Sequence, residues 1–337
     1  MSTNTDGDLT VLAGADVAAA LDGCEAEILD AVRAAYEAHS LGQTSLPHST
    51  FLRFPDGPRD RIIALPAYLG GESPVAGVKW IASFPGNLQR DLPRASAVMV
   101  LNSAETGRAE TILEASTISA KRTAASAALA AQRLCAPGSA GPTGVVGCGP
   151  INLEVVRFLS AAGVGSRRVV AFDLDPSRAE QFRERCRDEV GGVEVEVVGA
   201  LHEVLRACPL VSMATTAAVP HVFDLSVSPP GAVILHVSLR DLSPEIILAA
   251  YNVVDDVDHV CRAETSIHLA AQAAGHTGFV SCTLGDILLG RDVPRRDPER
   301  LAVFSPFGLG MLDLAVARLA RSRAHGRGVT VPAFCAT

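Results

Sequence analysis

The sequence predicts an α/β protein in two parts: a doubly wound parallel sheet, and an α+β domain built on an antiparallel or mixed sheet. Three observations carry this. Strand-like and helix-like stretches alternate from about residue 144 onward. Short strand-like runs succeed one another earlier in the chain with no helical pattern between them. A glycine-rich turn, Gly147-Cys148-Gly149, follows the first strand of the alternating part.

Taken in order, residues from about 11 to 40 are Ala-rich and amphipathic, which predicts a helix ending near Ser40-Leu41-Gly42. Strand-like runs at 49–54, 61–65, 75–84, 97–102 and 111–114 follow, separated by Pro and Gly. A helix is predicted over 119–135, and Ala136-Pro137-Gly138 then reads as a domain boundary. Strands at 144–146, 168–172, 193–198, 210–214 and 232–238 alternate with helices at 152–162, 176–190 and 202–207. A long apolar-periodic helix at 308–324 predicts a return to the first domain. The expected domains are therefore 1–136 with 309–337, for substrate binding and dimerisation, and 137–308 for a dinucleotide.

With 337 residues the chain is long enough for two cores, and 48% hydrophobic with 20% charged residues argues against extensive disorder. A net charge of -8 and only 4% aromatic residues exclude a general nucleic-acid binder, which needs basic excess and stacking platforms. A local basic pocket for an anion remains compatible with that balance. The eight cysteines include no C-x-x-C pair and no zinc-like Cys/His spacing. They read as buried thiols in a reducing compartment, with no metal expected. The polar, acidic stretch from Met1 to Leu9 has no leader pattern, and no window has the roughly 18 apolar residues of a membrane span. A cytoplasmic protein is expected.

Gly147-Cys148-Gly149-Pro150-Ile151-Asn152 leaves a buried-looking strand and opens a helix, the context that a dinucleotide fingerprint requires. Gly147 permits the tight turn, and Gly149 lets backbone approach a pyrophosphate at a helix N-terminus. Asn152 replaces the third fingerprint glycine. Asp173 ends the second strand about twenty residues further on, where a carboxylate accepts from a ribose 2′-OH and repels a 2′-phosphate. NAD is thus expected over NADP, with Arg178 nearby as the contrary feature. The alternative is a ligand-free fold whose glycines only make a turn.

Three cations lie in apolar surroundings: Lys79 in Ala76-Gly77-Val78-Lys79-Trp80-Ile81, Arg53 in Phe51-Leu52-Arg53-Phe54, and Arg122 in an Ala-rich helix. Each either reaches to solvent or points into a functional cavity; together they suit a substrate with several carboxylates. Asp241 follows the strand ending His236-Val237-Ser238-Leu239-Arg240, near the carboxyl end of the sheet. It reads equally as a functional carboxylate or as the cap of a helix starting near Pro244.

Ser119-Ala120-Lys121-Arg122-Thr123-Ala124-Ala125-Ser126 resembles the arginine-threonine helix motif of the ornithine cyclodeaminase/mu-crystallin family. Gly77-Val78-Lys79, the Gly147-Cys148-Gly149 loop and the Asp241 segment fall in that family's order, so the resemblance spans nearly the whole chain. Within it, the chain is most similar to the SbnB-type 2,3-diaminopropionate group. That likeness rests on Leu46-Pro47-His48-Ser49, Ile62 to Gly71, Leu92-Pro93-Arg94-Ala95-Ser96, the Gly-Pro-Ile-Asn loop and Ser238-Leu239-Arg240-Asp241-Leu242.

The resemblance implies a homodimer and NAD-dependent oxidative cleavage of N-(1-amino-1-carboxy-2-ethyl)-glutamate, for siderophore or peptide-antibiotic assembly. It also implies a PLP-dependent partner enzyme of cysteine-synthase type that supplies the adduct. By the same route Arg53 and Arg122 would hold carboxylates, Lys79 would bind a carboxylate or polarise the reacting centre, Asp241 would shuttle protons, and Gly147, Gly149, Pro150, Ile151, Asn152 and Asp173 would hold NAD. Thr123, Thr215, Ser238, Leu239 and Ser305 are further candidates for the cofactor's ribose and nicotinamide end. Rival expectations are an ornithine cyclodeaminase, another amino-acid or imine dehydrogenase of the family, and a crystallin-like dinucleotide binder without turnover.

Overall fold

The computed structural model describes residues 7–136, 141–292 and 297–334. The boundary expected at Pro137-Gly138, the first six residues and Cys335 lie outside them. The chain forms two compact units, Met1–Arg122 with Leu309–Thr337, and Thr123–Gly308.

The first unit opens with β1 (Leu9–Leu12), α1 (Gly14–Leu21) and α2 (Glu25–Ser40). One continuous helix over 11–40 is therefore not formed. Gly23 adopts a left-handed φ of 64° that ends the first helix, and the second restarts at Glu25. Next come β2 (Thr44–Ser45), β3 (Thr50–Phe54), β4 (Gly57–Leu69), β5 (Val75–Ser83), β6 (Ala95–Asn102), β7 (Ala109–Glu114) and α3 (Ser116–Leu134). Strands β3 to β7 pair antiparallel with their neighbours, while β1 joins β7 in parallel, so the sheet is mixed. β5 lies between β4 and β6, and Lys79 is in register with Leu65 on one side and Met99 on the other.

The second unit alternates strands and helices: β8 (Thr143–Val146), α4 (Pro150–Ala161), β9 (Arg168–Phe172), α5 (Pro176–Arg185), β10 (Glu194–Val197), α6 (Leu201–Ala207), β11 (Leu210–Met213) and β12 (Val233–His236). The helix expected to reach 190 loosens into a π-turn at Cys186–Val190. The strand expected to reach 238 stops at His236, where the chain turns: Val237 N bonds back to the Leu235 carbonyl, and Leu239 follows with a φ of 70°. Then follow α7 (Pro244–Ala249), β13 (Tyr251–Val254), α8 (Val257–Val260), α9 (Ser266–Ala274), β14 (Val280–Thr283), α10 (Leu284–Leu288) and β15 (Ala302–Ser305). The eight strands run parallel in the order β10-β9-β8-β11-β12-β15-β13-β14. Chain order reverses on the two sides of β8, which makes its carboxyl end a topological switch point. Val146, Met213 and His236 stand in one row of the register, so the residues just beyond them share one edge.

From Leu309 the chain rejoins the first unit as α11 (Gly310–Arg323) and β16 (Val329–Val331), the latter pairing with β1. Gly310 to Ala317 are buried without a break, because α11 packs against α1, α2, β4 and β5. Each large apolar side chain enclosed this way contributes about 1.5–3 kcal/mol. Asp313 sits in the middle of this apolar run. No described helix is long and apolar enough to cross a membrane.

Candidate active site

In the first unit three charged side chains meet in the interior. Lys79 on β5 is 1% exposed, and its Nζ donates to Asp313 Oδ2 at 2.7 Å and to Ser119 Oγ at 3.3 Å. Arg122 on α3 donates from Nε to Asp313 Oδ1 at 3.0 Å. Ser119 and Arg122 lie one turn apart on α3 and so share a face. Burial drives the Lys79 pKa down to about 8, against the pull of Asp313 and with help from the Arg122 charge. Lys79 and Arg122 thus share one fully buried anion, Asp313.

Arg53 does not join this group. It is exposed on β3, 5.6 Å from the Phe51 ring centroid, and in register with Arg61. Arg61 is four residues along β4 from Leu65, the register partner of Lys79, or about 13 Å at strand spacing. Among the described residues no carboxylate forms an ion pair with Arg53.

In the second unit the loop after β8 has the form a dinucleotide needs. Gly147 has a φ of 87°, and a Cβ there would meet the Ala214 carbonyl oxygen at 2.7 Å. Gly149 is the N-cap of α4, and a Cβ there would meet only Arg178 Nη2, at 3.9 Å. The loop is open on that side. Pro150 opens the helix and Ile151 is part-buried behind it. Asn152 is fully buried: its amide donates to the carbonyls of Val146 and Gly147 at 3.0 and 2.8 Å, and its Oδ1 accepts from Ser212 at 2.6 Å. It shapes the loop from behind. Asp173 accepts from the backbone of Cys148 at 2.7 Å and of Asp175 at 3.0 Å, which sets its carboxylate against the loop. These residues fit NAD: free N–H groups at the start of α4 suit the pyrophosphate, and Asp173 suits a ribose diol. Cys148, pushed up to about 12 by burial, is not a thiolate nucleophile.

Asp241 lies on the same carboxyl edge and is fully buried. It accepts hydrogen bonds from the Thr215 and Ser238 hydroxyls, and its Oδ2 is 3.2 Å from His236 Nε2. The same ring nitrogen faces the Asp241 backbone N–H at 3.1 Å, so its tautomer decides whether it donates or accepts. Nδ1 of His236 meets Ser305 Oγ at 3.2 Å. Burial drives the Asp241 pKa up, but His236 and the two hydroxyls outweigh it and bring it down to about 2. The helix cap is Ser243, which accepts from Ile246 N, so Asp241 is free of that duty. Leu239 holds its left-handed conformation with its carbonyl bonded to Ser266 N at 2.7 Å. Such strain in a bulky residue is concentrated at functional turns.

Thr215, Ser238 and Ser305 thus contact Asp241 or His236, and Thr123 is buried on α3. The sequence reading passed over Asp313, His236, Ser119 and His221. A lone acid in the apolar helix and a histidine five positions before Asp241 were the available signals. Among the described residues no cluster of His, Cys, Asp or Glu is placed to hold a metal.

A profile of the ornithine cyclodeaminase/mu-crystallin family matches residues 10–328. An alanine dehydrogenase of Archaeoglobus fulgidus is 29% identical over 318 residues, covering 90% of this chain and 92% of that protein. The N-((2S)-2-amino-2-carboxyethyl)-L-glutamate dehydrogenase of Staphylococcus aureus is 28% identical over 308 residues, covering 89% and 91%. A solved archaeal alanine dehydrogenase dimer with bound NAD superposes with a TM-score of 0.85 at 27% identity, over 97% of this chain and 100% of that one.

Proposed function

The chain belongs to the ornithine cyclodeaminase/mu-crystallin family, and from that premise we propose that it is an NAD-dependent dehydrogenase of a carbon–nitrogen bond. Its substrate in this reading is N-(1-amino-1-carboxy-2-ethyl)-glutamate, cleaved to 2-oxoglutarate and L-2,3-diaminopropionate. The observation that carries the reading is the buried Lys79–Asp313–Arg122 group, which sets two cations side by side where a substrate carboxylate can be held. A protein that only stored a dinucleotide would have no use for it. The motifs shared with the diaminopropionate group, and the Staphylococcus aureus relative, support the adduct as substrate.

When bound, NAD supplies the hydride acceptor. Gly147, Gly149 and the start of α4 hold its pyrophosphate, Asp173 its ribose, and Asn152 keeps the loop in shape. Lys79 and Arg122 anchor the α-carboxylate, and Arg53 a more distant one. Asp241 is the fixed negative charge at the reacting nitrogen, held by Thr215, Ser238 and His236. Water then adds to the imine carbon, and the carbinolamine collapses to keto acid and amine.

The face of the first sheet opposite Lys79 carries Leu52, Tyr68, Trp80 and Val98, all exposed, on four neighbouring strands with Trp80 and Val98 directly paired. A contiguous apolar face of this kind suits a second copy of the chain, as in the homodimer expected above. The supplying partner would be a PLP-dependent enzyme of cysteine-synthase type, the setting cytoplasmic, and the product a siderophore or peptide-antibiotic precursor.

Purified protein with NAD and the adduct tests the reading, with products identified by mass. NADH, 2-oxoglutarate and diaminopropionate in equal amounts are expected. Turnover of alanine to pyruvate without turnover of the adduct would replace this reading with the alanine dehydrogenase one, which the Archaeoglobus fulgidus relative favours.

A further inference from the structure

We propose that His221 exchanges protons with the substrate nitrogen and the attacking water, with Asp241 as its buried anionic partner. The inference rests on the dehydrogenase reading above and names the group that reading leaves open.

Asp241 by itself is poorly placed to trade protons. It is fully buried, and Thr215, Ser238 and His236 surround its carboxylate. It also stays ionised far below neutrality, so it holds charge better than it accepts protons. His236 is equally enclosed, with Nδ1 turned to Ser305.

His221 differs from both. Its side chain is 43% exposed, and its Nε2 lies 3.8 Å from Asp241 Oδ1. The backbone keeps the two in register. The N–H groups of His221 and Val222 both donate to the Asp241 carbonyl at 2.9 Å, and Ser243 N donates back to Val222 at 3.0 Å. Val222 and Leu242 form a parallel bridge between the two segments. At its start the loop is tied down by Ala217 N donating to Thr215 Oγ1 at 3.1 Å. An imidazole that reaches solvent on one side and a fixed carboxylate on the other is the arrangement of an oriented general base. In such sites the contact commonly shortens when substrate binds.

The protons balance through this one ring. The secondary ammonium of the substrate gives a proton to His221, which passes it to solvent. The neutral amine then loses hydride from its α-carbon and becomes an iminium. Water adds to that carbon and leaves its proton on His221. His221 returns that proton to the nitrogen, the carbon–nitrogen bond breaks, and the hydroxyl proton goes to the departing amine. The sum is one keto acid, one ammonium product, one NADH and one proton released.

His221→Gln and His221→Ala decide the matter, assayed beside wild type with the adduct and NAD. The expected kcat falls about 100-fold in both, the scale of a general acid–base group, while NAD affinity and Tm hold. Added imidazole should restore part of the His221→Ala rate and none of the Asp241→Asn rate. A His221→Gln enzyme within threefold of wild-type kcat overturns the proposal. A second readout needs no turnover. Diethyl pyrocarbonate should modify His221 in the free protein, and NADH with the keto acid product should shield it, while the exposed His202 and His276 stay reactive. Equal labelling with and without those ligands also overturns it. If wild type oxidises alanine and not the adduct, the substrate reading falls, and the same comparison on alanine still decides His221.

Discussion

Lys79 Nζ lies 2.7 Å from Asp313 Oδ2, although 234 positions separate them in the chain. The pair closes a charge group that neither residue would tolerate alone in the interior. A buried lysine without a partner would lose its proton, and a buried aspartate between two helices would gain one.

Asp313→Asn is therefore expected to remove the anion that Lys79 and Arg122 share, discharging Lys79 and taking from Arg122 its buried ion pair. The loss should be about 3–5 kcal/mol of unfolding free energy, the usual consequence of removing one partner from a buried ion pair. Urea denaturation of the variant checks this; a change under about 1 kcal/mol would show that Asp313 is not the anion that balances the site.

The low pKa of Lys79 has a pH signature of definite sign. Folding lowers it from its ordinary 10.5 to about 8, so between those values the unfolded chain binds more protons. The Lys79 contribution to stability then rises with pH across that window. Substrate binding moves the other way, because the anchor loses its charge above about pH 8. Accordingly kcat/KM for the adduct should fall as pH passes about 8, and Lys79→Arg should remove that limb. A flat profile to pH 10 in wild type would exclude Lys79 as a charged anchor.

Arg122 and Arg53 should separate in kinetics. Arg122→Ala removes a desolvated, charge-assisted contact and should raise KM by about 30- to 1000-fold, equivalent to roughly 2–4 kcal/mol. Arg53, exposed and paired only in register with Arg61, should matter for substrates with a second carboxylate and not for alanine. Equal losses for mono- and polycarboxylate substrates in Arg53→Ala would remove it from the substrate set.

Asp173→Ser should weaken NAD binding about tenfold, because the ribose partner and the bond to Cys148 N are lost together. Discrimination against NADP should narrow, since the repelling carboxylate is gone. Fluorescence titration of both cofactors tests it, and tighter NADP than NAD binding by wild type would defeat the assignment.

Asp241→Asn keeps shape but removes the negative charge that the Thr215 and Ser238 hydroxyls serve beside His236. Turnover should fall about 100-fold or more, with NAD affinity nearly unchanged. Since Ser243 is the cap of α7, loss of the cap cannot explain such a drop. Near-normal kcat would take Asp241 out of the mechanism.

What the sequence determined by itself was local in origin. Gly147-Cys148-Gly149 after an apolar strand specifies a strand–turn–helix unit within a few residues, and the alternation of periods two and 3.6 specifies the parallel sheet around it. Lys79 and Arg122 stood out because a charge in an apolar run is visible without knowing its partner. The division of the 11–40 stretch into β1, α1 and α2 was less visible, since an Ala-rich pattern hides a break that the left-handed Gly23 makes. Only the tertiary structure decided what the charges do. Asp313 reads in sequence as one acid in a buried helix, and becomes the shared anion of Lys79 and Arg122 once α11 packs on β4 and β5. His221 and Asp241 come together because parallel strands align their carboxyl ends, an outcome of register and not of spacing. Side-chain periodicity is a short-range property that a single segment can display. The pairing of buried charges is settled by desolvation and packing between segments far apart in the chain, which no segment shows alone.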